Sequence, residues 1–244
     1  MQKNNKLILA LRAEKSDVEI HKHSAYQIVL TENNPFHTTL ENKKYQNIYG
    51  FVIKPQVAHS CECSNSNLII INIEAYSFLG KYISEKLGDK NGDIFSDNLD
   101  FKRFFNSTKN DFSIQNILNI DQSNTFIELI DVRIEKSIAY INENFKKNKF
   151  STQDIANHIF LSHSRLATLF KKQIGSSIGK YILWTRLKNA IFLILSDNEK
   201  SLTNIALESG FYDSSQMIKY MYQMFGISPS KLRQKSDLIQ FLEI

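Results

Sequence analysis

The segments STQDIANHIFLSHSRLATLFKKQIGSS (residues 151–177) and SLTNIALESGFYDSSQMIKYMYQMFGIS (201–228) follow one plan. Ser151, Ile155 and Ala156 recur fifty residues later as Ser201, Ile205 and Ala206. After a slip of one residue in the turn, Leu166, Phe170, Gly175 and Ser177 correspond to Met217, Met221, Gly226 and Ser228 at an offset of fifty-one. Each copy reads as a short helix containing Ile-Ala, a tight turn, a polar cap, a second helix with apolar residues four apart, and a glycine stop. This is the plan of a helix-turn-helix, in which the small alanine lets the second helix cross close over the first. The major groove of DNA admits one helix of this kind. Between the copies, residues 178–196 read as a single helix of 19 residues. At 1.5 Å per residue it spans ~28 Å. That is of the order of one DNA turn, ~34 Å, so two recognition helices so joined suit successive stretches of major groove.

The rest of the chain agrees with this reading. Of 244 residues, 42% are apolar and 23% charged, which predicts a soluble globular protein with a sizeable core. Only three prolines and eight glycines occur, which favours helix over turn-rich architectures. No apolar run approaches the ~20 residues of a membrane span, and the apolar stretch before Arg12 is too short for a signal peptide. The two cysteines, Cys61 and Cys63, would close too small a loop to act as a disulfide staple, which suits a reducing, cytoplasmic setting. The formal net charge of +5 is unevenly placed. Residues 1–122 carry 14 Lys and Arg against 14 Asp and Glu, and residues 123–244 carry 16 against 11. A basic second half suits a polyanionic partner.

The first half has another period. YQIVL (26–30), FHTTL (36–40), YGFVI (49–53) and NLIIINI (67–73) are β-branched or aromatic runs separated by ENNP (32–35) and SNSN (64–67). They predict a small antiparallel sheet or barrel. Helical spacing of Phe78, Leu79, Ile83 and Leu87 follows, then a polar stretch with two short amphipathic helices, over 99–105 and 112–120. The domain boundary is placed near Gln122–Asn124. Beyond it, Ile127, Ile130, Ile134, Ile138, Ile141 and Phe145 form one helical stripe.

With DVRIEKSIAYINENF (131–145), IANHIFLSHSRLATLFKKQIGSSIGKYILWTRLKNA (155–190) and IALESGFYDSSQMIKYMYQMFGISPSKLRQ (205–234) on the page, the second half resembles the DNA-binding domain of the AraC/XylS family of bacterial transcription regulators. The resemblance covers some 105 residues. It implies an α+β chain of two domains: a cupin-like effector-sensing or dimerisation domain over 1–122, a small antiparallel barrel with helices, and an all-α double helix-turn-helix domain over 131–236. The two units fall at about 151–173 and 201–225. It further implies promoter DNA and RNA polymerase as partners, a homodimer, an effector, and activation as the usual outcome.

Carried over position by position, the outward residues of the first recognition helix include Ser164, Arg165 and Thr168, followed by Lys171 and Lys172. Those of the second are Ser214, Ser215, Gln216 and Lys219. Arg165 suits guanine or a phosphate, Gln216 suits adenine, and the lysines suit the phosphate backbone. This chain departs from the family in two places. The second recognition helix holds Met217, Tyr220, Met221, Tyr222 and Gln223 where aromatic and basic residues are common, and Phe160 stands in the first turn where glycine is common.

HKHSAYQ (21–27) and IKPQVAH (53–59) resemble the ligand stretches of metal-binding cupins, with His21, His23 and His59 in place and Gln27 at the acidic position. Strand period puts His59, Cys61 and Cys63 on one face, so that five nitrogen or sulfur ligands converge, a set suited to Zn²⁺ or Cu⁺. Three roles stay open at this level: a regulatory divalent metal, a small-molecule effector pocket, and a purely structural or dimerising domain. Asp17, Glu19, Glu62 and Glu74 form no acid/base pair, and no Gly-rich phosphate loop or Gly-x-Ser-x-Gly is present. No catalytic residue and no required cofactor is therefore expected. The alternative is a metal-dependent cupin enzyme, an oxygenase or isomerase with a helical accessory domain, which calls for a carboxylate ligand the motif lacks.

Overall fold

Serine and aspartate start the helices of the second half, each by bonding a backbone N–H that the first helical turn leaves without a partner. In the computed structural model, which describes residues 8–14, 17–105, 130–147, 149–234 and 239–241, the side chains of Asp131, Ser151, Ser162, Ser177, Ser201 and Asp213 all cap in this way. The helices are α3 (Val132–Asn144), α4 (Thr152–His158), α5 (His163–Ile174), α6 (Ile178–Ser196), α7 (Leu202–Glu208), α8 (Ser214–Phe225) and α9 (Pro229–Gln234). The chain divides into one unit of residues 1–128 and 237–244 and another of 129–236. The predicted helix over 112–120 and the boundary near 122–124 lie outside the described residues.

The duplication extends to individual hydrogen bonds. In the first turn the N–H of Leu161 donates to the carbonyl of Ala156 at 3.0 Å, and in the second Phe211 donates to Ala206 at 2.9 Å. Ile155 and Ala156 match Ile205 and Ala206 in complete burial, as Leu166 and Phe170 match Met217 and Met221. Gly175 and Gly226 end α5 and α8 in the left-handed region, each N–H returning to a carbonyl four residues back. The slip in register is Tyr212, an extra residue between the turn and the cap of α8.

The two turns differ at one equivalent pair. Phe160 has φ 56° and Gly210 has φ 83°, so both occupy the left-handed region and the turn geometry is retained despite Phe160. The surroundings decide which residue each tolerates. Phe160 is 94% exposed. A Cβ on Gly210 would lie 2.4 Å from the carbonyl oxygen of Phe145 and 2.9 Å from the Cα of Lys146. The second turn therefore packs backbone to backbone against the end of α3, where Arg186 of α6 also donates to the carbonyls of Phe145 and Lys147.

Among the described residues the first unit has ten strands: β1 (Ile8–Glu14), β2 (Val18–His21), β3 (Tyr26–Thr31), β4 (Phe36–Leu40), β5 (Lys43–Ile48), β6 (Gly50–Ile53), β7 (His59–Glu62), β8 (Asn67–Ile73), β9 (Gly92–Phe95) and β10 (Ile239–Phe241). It also contains α1 (Phe78–Leu87) and α2 (Asn98–Phe105). Strands β3 and β8 are near-continuous apolar runs because they lie inside a sheet and are buried on both faces. One antiparallel sheet runs β10-β1-β8-β3-β6-β9 and a second runs β2-β7-β4-β5. Glu41 and Asn42, both at positive φ, form the two-residue hairpin turn between β4 and β5.

The expected barrel is not closed. Among the described residues each sheet keeps its own two edges, and the sheets meet through side chains: Val29, Phe51, Ile53 and Leu68 from one share a core with Phe36, Leu40 and Cys61 from the other. Two faces that bury each other in this way need no closure. The edges of the larger sheet are taken by β9 and β10, neither of which the alternating runs foretold. Strand β10 comes from beyond the helical unit and pairs antiparallel with β1, Leu11 opposite Phe241 and Ala13 opposite Ile239. Residues 239–241 thus belong to the larger sheet of the first unit.

The contrast between the two turns gives the first test. Gly210→Ala should destabilise the helical unit by about 2 kcal/mol or more, from backbone collision at a strained φ. Phe160→Gly should change stability by less than about 1 kcal/mol, relief of strain opposing the greater freedom of the unfolded chain. Urea denaturation of both variants measures the difference.

Candidate nucleic-acid interface

Recognition by a helix requires its first turns to be exposed while its opposite face is held rigidly. In α5, Leu166, Phe170 and Ile174 are buried, and Ser164, Arg165, Thr168, Lys171 and Lys172 are all exposed. Three contacts hold its position. Phe170 meets Tyr181 of α6 edge-on at 5.5 Å, the carboxamide oxygen of Gln173 accepts from the Asp131 N–H at 3.0 Å, and His163 bonds the Thr152 hydroxyl at 2.8 Å.

The electrostatics of this end are paired. Asp131 is held at a pKa of about 2, first by hydrogen bonds from the Arg133 side chain and backbone and also by the charge of Arg165. The Asp131 carboxylate is engaged by Arg133, with Nη2 to Oδ2 at 2.6 Å, and Arg165 is exposed at the start of α5. Lys171 and Lys172 sit in the last turn of α5, where positive charge complements the helix dipole.

In α8, Met217, Met221, Met224 and Phe225 are buried. Ser215 and Lys219 are exposed, and Ser214 and Gln216 are half-buried. The structure gives Gln216 a local task as well: its N–H donates to Asp213 at 2.7 Å and its side-chain oxygen accepts from the Tyr212 N–H at 3.0 Å. The amide NH₂ is the part of Gln216 that these two bonds leave unused. Tyr212, 78% exposed just before α8, was not among the residues singled out from sequence. Its signal was the register slip itself, since a residue inserted between turn and cap has no counterpart in the first copy.

Helix α6 joins the two units. Its buried residues, among them Ile178, Tyr181, Trp184, Leu187, Ile191 and Ile194, lie on all sides, as expected of a helix surrounded by others. It contacts α5, α7, α8 and α9. Trp184 stacks on Phe225 of α8 at 5.2 Å, and Asn189 donates to the Ser209 hydroxyl at 3.0 Å.

In the first unit the structure brings His21, His23 and His59 together, one possible ligand atom from each lying within 4.8 Å of the others. The two cysteines do not join them, which corrects the five-ligand expectation. Cys61 lies in the apolar core shared by the two sheets, and burial pushes its thiol up. Cys63 follows the end of β7, and its thiol donates to the Ser66 carbonyl at 2.9 Å. Sharing a strand face sets direction and does not bring side chains to one depth. The three histidines are buried and do not line a cleft of about 460 Å³ in this unit that is bordered by Leu40, Lys43, Tyr45, Ile53, Val57 and Ile94.

Two helix-turn-helix units on one shared buried helix, each presenting the start of its second helix, define a double helix-turn-helix domain. Comparison with known proteins agrees. Residues 155–235 match the model of a family described as "Helix-turn-helix domain". The arabinose operon regulatory protein of Escherichia coli is 29% identical over 104 residues, covering 43% of this chain and 35% of that protein. The probable transcriptional regulator LumQ of Photobacterium leiognathi is 24% identical over 226 residues, 86% of this chain and 90% of LumQ. ToxT of Vibrio cholerae, solved with an unsaturated fatty acid bound, shares the fold over 96% of this chain and 98% of its own at a TM-score of 0.59 and 13% identity. The helical unit is a DNA-binding domain of the AraC type. The match to the arabinose regulator spans about a third of that protein's length. No helix among the described residues is long and apolar enough to cross a membrane.

Because the Trp184–Phe225 stack ties α8 to α6, Trp184→Ala should cost about 3–5 kcal/mol. Denaturant titration followed by circular dichroism measures the loss.

Proposed function

We propose that this chain is a sequence-specific transcription regulator that works in the cytoplasm on promoter DNA and responds to an effector through its first unit. The observation that carries the reading is the pair of recognition helices anchored by the same buried helix through Phe170–Tyr181 and Trp184–Phe225. Ser164, Arg165, Thr168, Ser214, Ser215 and Gln216 face the base edges, and Lys171, Lys172 and Lys219 face the phosphates. Helix α8 has Lys219 as its one basic residue, so electrostatic attraction is concentrated on α5.

RNA polymerase and a second copy of the chain are the protein partners this reading calls for, with activation as the outcome. The cleft in the first unit has a size suited to a small molecule, within the usual range of about 300–1,000 Å³, and its mixed lining of aliphatic side chains, Lys43 and Asp93 suits an amphipathic one. The reading as a metal-dependent enzyme draws no support from position 27, where the neutral Gln27 side chain donates to Asn72 at 3.1 Å.

Fluorescence anisotropy tests the proposal. The purified protein is titrated with duplexes from upstream of its own gene and with a scrambled control, from low to physiological salt. One upstream fragment should bind more tightly, and the preference should persist as salt rises. Arg165→Ala should cost about 1–3 kcal/mol and relax the preference. The pair Lys171→Ala and Lys172→Ala should weaken binding to all duplexes and lower the slope of log K against log salt by about 0.9 for each phosphate that is no longer neutralised. Equal, salt-sensitive binding to every duplex would overturn the proposal.

A further inference from the structure

The histidine group belongs to the first unit. It forms where β2 ends, at the loop into β3 and at the start of β7, with His21 paired to His59 across the β2–β7 ladder. The ring centroids are 4.0 Å apart for His21 and His59, 5.0 Å for His23 and His59, and 5.8 Å for His21 and His23. The orientation of each ring is fixed in the same way. The Nδ1 of His21 lies 2.7 Å from the Glu19 carbonyl, that of His23 3.1 Å from Ala25, and that of His59 3.0 Å from Val57. A carbonyl oxygen only accepts, so each Nδ1 carries the proton and each Nε2 presents a lone pair.

Burial keeps all three rings neutral, pushing His21 down to about 4 and His23 to about 3, and His59 well below its ordinary value. The Nε2 of His59 is buried and has no hydrogen-bond partner. A buried acceptor left in this state is costly, because it has given up water and gained no partner. A water molecule would satisfy it but donates to two acceptors at most, whereas a cation takes the lone pairs of all three Nε2 atoms at once. Metal-binding histidines show this same pattern, with the far nitrogen donating to a backbone carbonyl.

We propose that His21, His23 and His59 bind a zinc-class divalent cation through their three Nε2 atoms. Nitrogen donors without oxygen exclude Ca²⁺ and Mg²⁺ and suit Zn²⁺, Co²⁺ and their neighbours. Ligand nitrogens on a tetrahedral zinc stand about 3.3 Å apart, so small ring rotations close a group already within 4.8 Å. Gln27 stands beside His23, where a metal-binding cupin has its carboxylate. The site is thus a neutral three-nitrogen set, with its fourth position left to water or another small ligand.

The test uses the full chain stripped of metal with a chelator. Equilibrium dialysis against Zn²⁺ or Co²⁺ should give one ion per chain, and Co²⁺ should produce the visible ligand-field bands of a tetrahedral nitrogen site. His21→Gln and His59→Gln, checked for folding by circular dichroism, should each raise the Kd at least about 100-fold. Gln27→Glu, which adds an anionic ligand and removes none, should lower it. Wild-type protein that binds no more ion than the histidine variants, or a Gln27→Glu variant of unchanged affinity, would overturn the proposal. Neither readout involves DNA, so its failure and that of the regulator reading are separable.

Discussion

Both recognition helices depend on the burial of α6. A helix that is apolar on one side only can hold one neighbour, whereas α6 buries side chains around its circumference and holds α5, α7, α8 and α9 at once. The Phe170–Tyr181 and Trp184–Phe225 pairs convert this burial into orientation, because aromatic pairs favour particular stacked or edge-on geometries. Residues 181 and 184 are three apart, nearly one turn, so the rings that position α5 and α8 come from neighbouring points on one rigid rod. The spacing of the recognition helices is therefore a property of a packed core and not of two flexible loops.

Much of the helical unit was legible in the sequence because its determinants are local. Capping residues and glycine stops place α5, α6 and α8 within a residue of the periodic pattern. The first unit was legible only in its buried strands. Residues 26–30, 36–40 and 67–73 announce β3, β4 and β8 by their apolar runs. Strand β5, KKYQNI, is a polar edge strand whose pairing is set by the hairpin turn before it, and β10 pairs with residues more than two hundred positions away. Neither cause shows in a local window.

The candidate sites divide along the same line. Of the histidines in the first unit, His21 and His23 stand together by a local His-x-His spacing, whereas His59, 36 residues further on, joined them only through the resemblance to metal-binding cupins. The cysteines were misplaced because the depth of a side chain in a two-sheet core depends on what the other sheet presents, here Val29, Phe51 and Leu68. On the recognition helices the exposed faces follow from helical period. The bond from the Tyr212 N–H to Gln216 does not, since it exists only because of the inserted residue.

Divergence between the two copies records their surroundings. Each turn needs a left-handed residue so that Leu161 or Phe211 can return its N–H to an alanine carbonyl. That requirement is identical, and a bulky residue meets it at a modest cost in strain, as Phe160 shows in open solvent. At the second turn the backbone of Phe145 and Lys146 fills the space where a Cβ would stand, so the glycine there answers a packing constraint added to the conformational one. The end of α3 that supplies this contact also receives both hydrogen bonds of Arg186. Helix α3, the second turn and α6 are in this way locked together, whereas the first turn carries its phenylalanine outward. A residue exposed at that point, immediately before α5, adds an aromatic ring to the surface beside the first recognition helix, and Tyr212 does the same beside the second. The copies thus keep a shared backbone and reach a similar surface by different residues, one by substitution in the turn and the other by insertion after it.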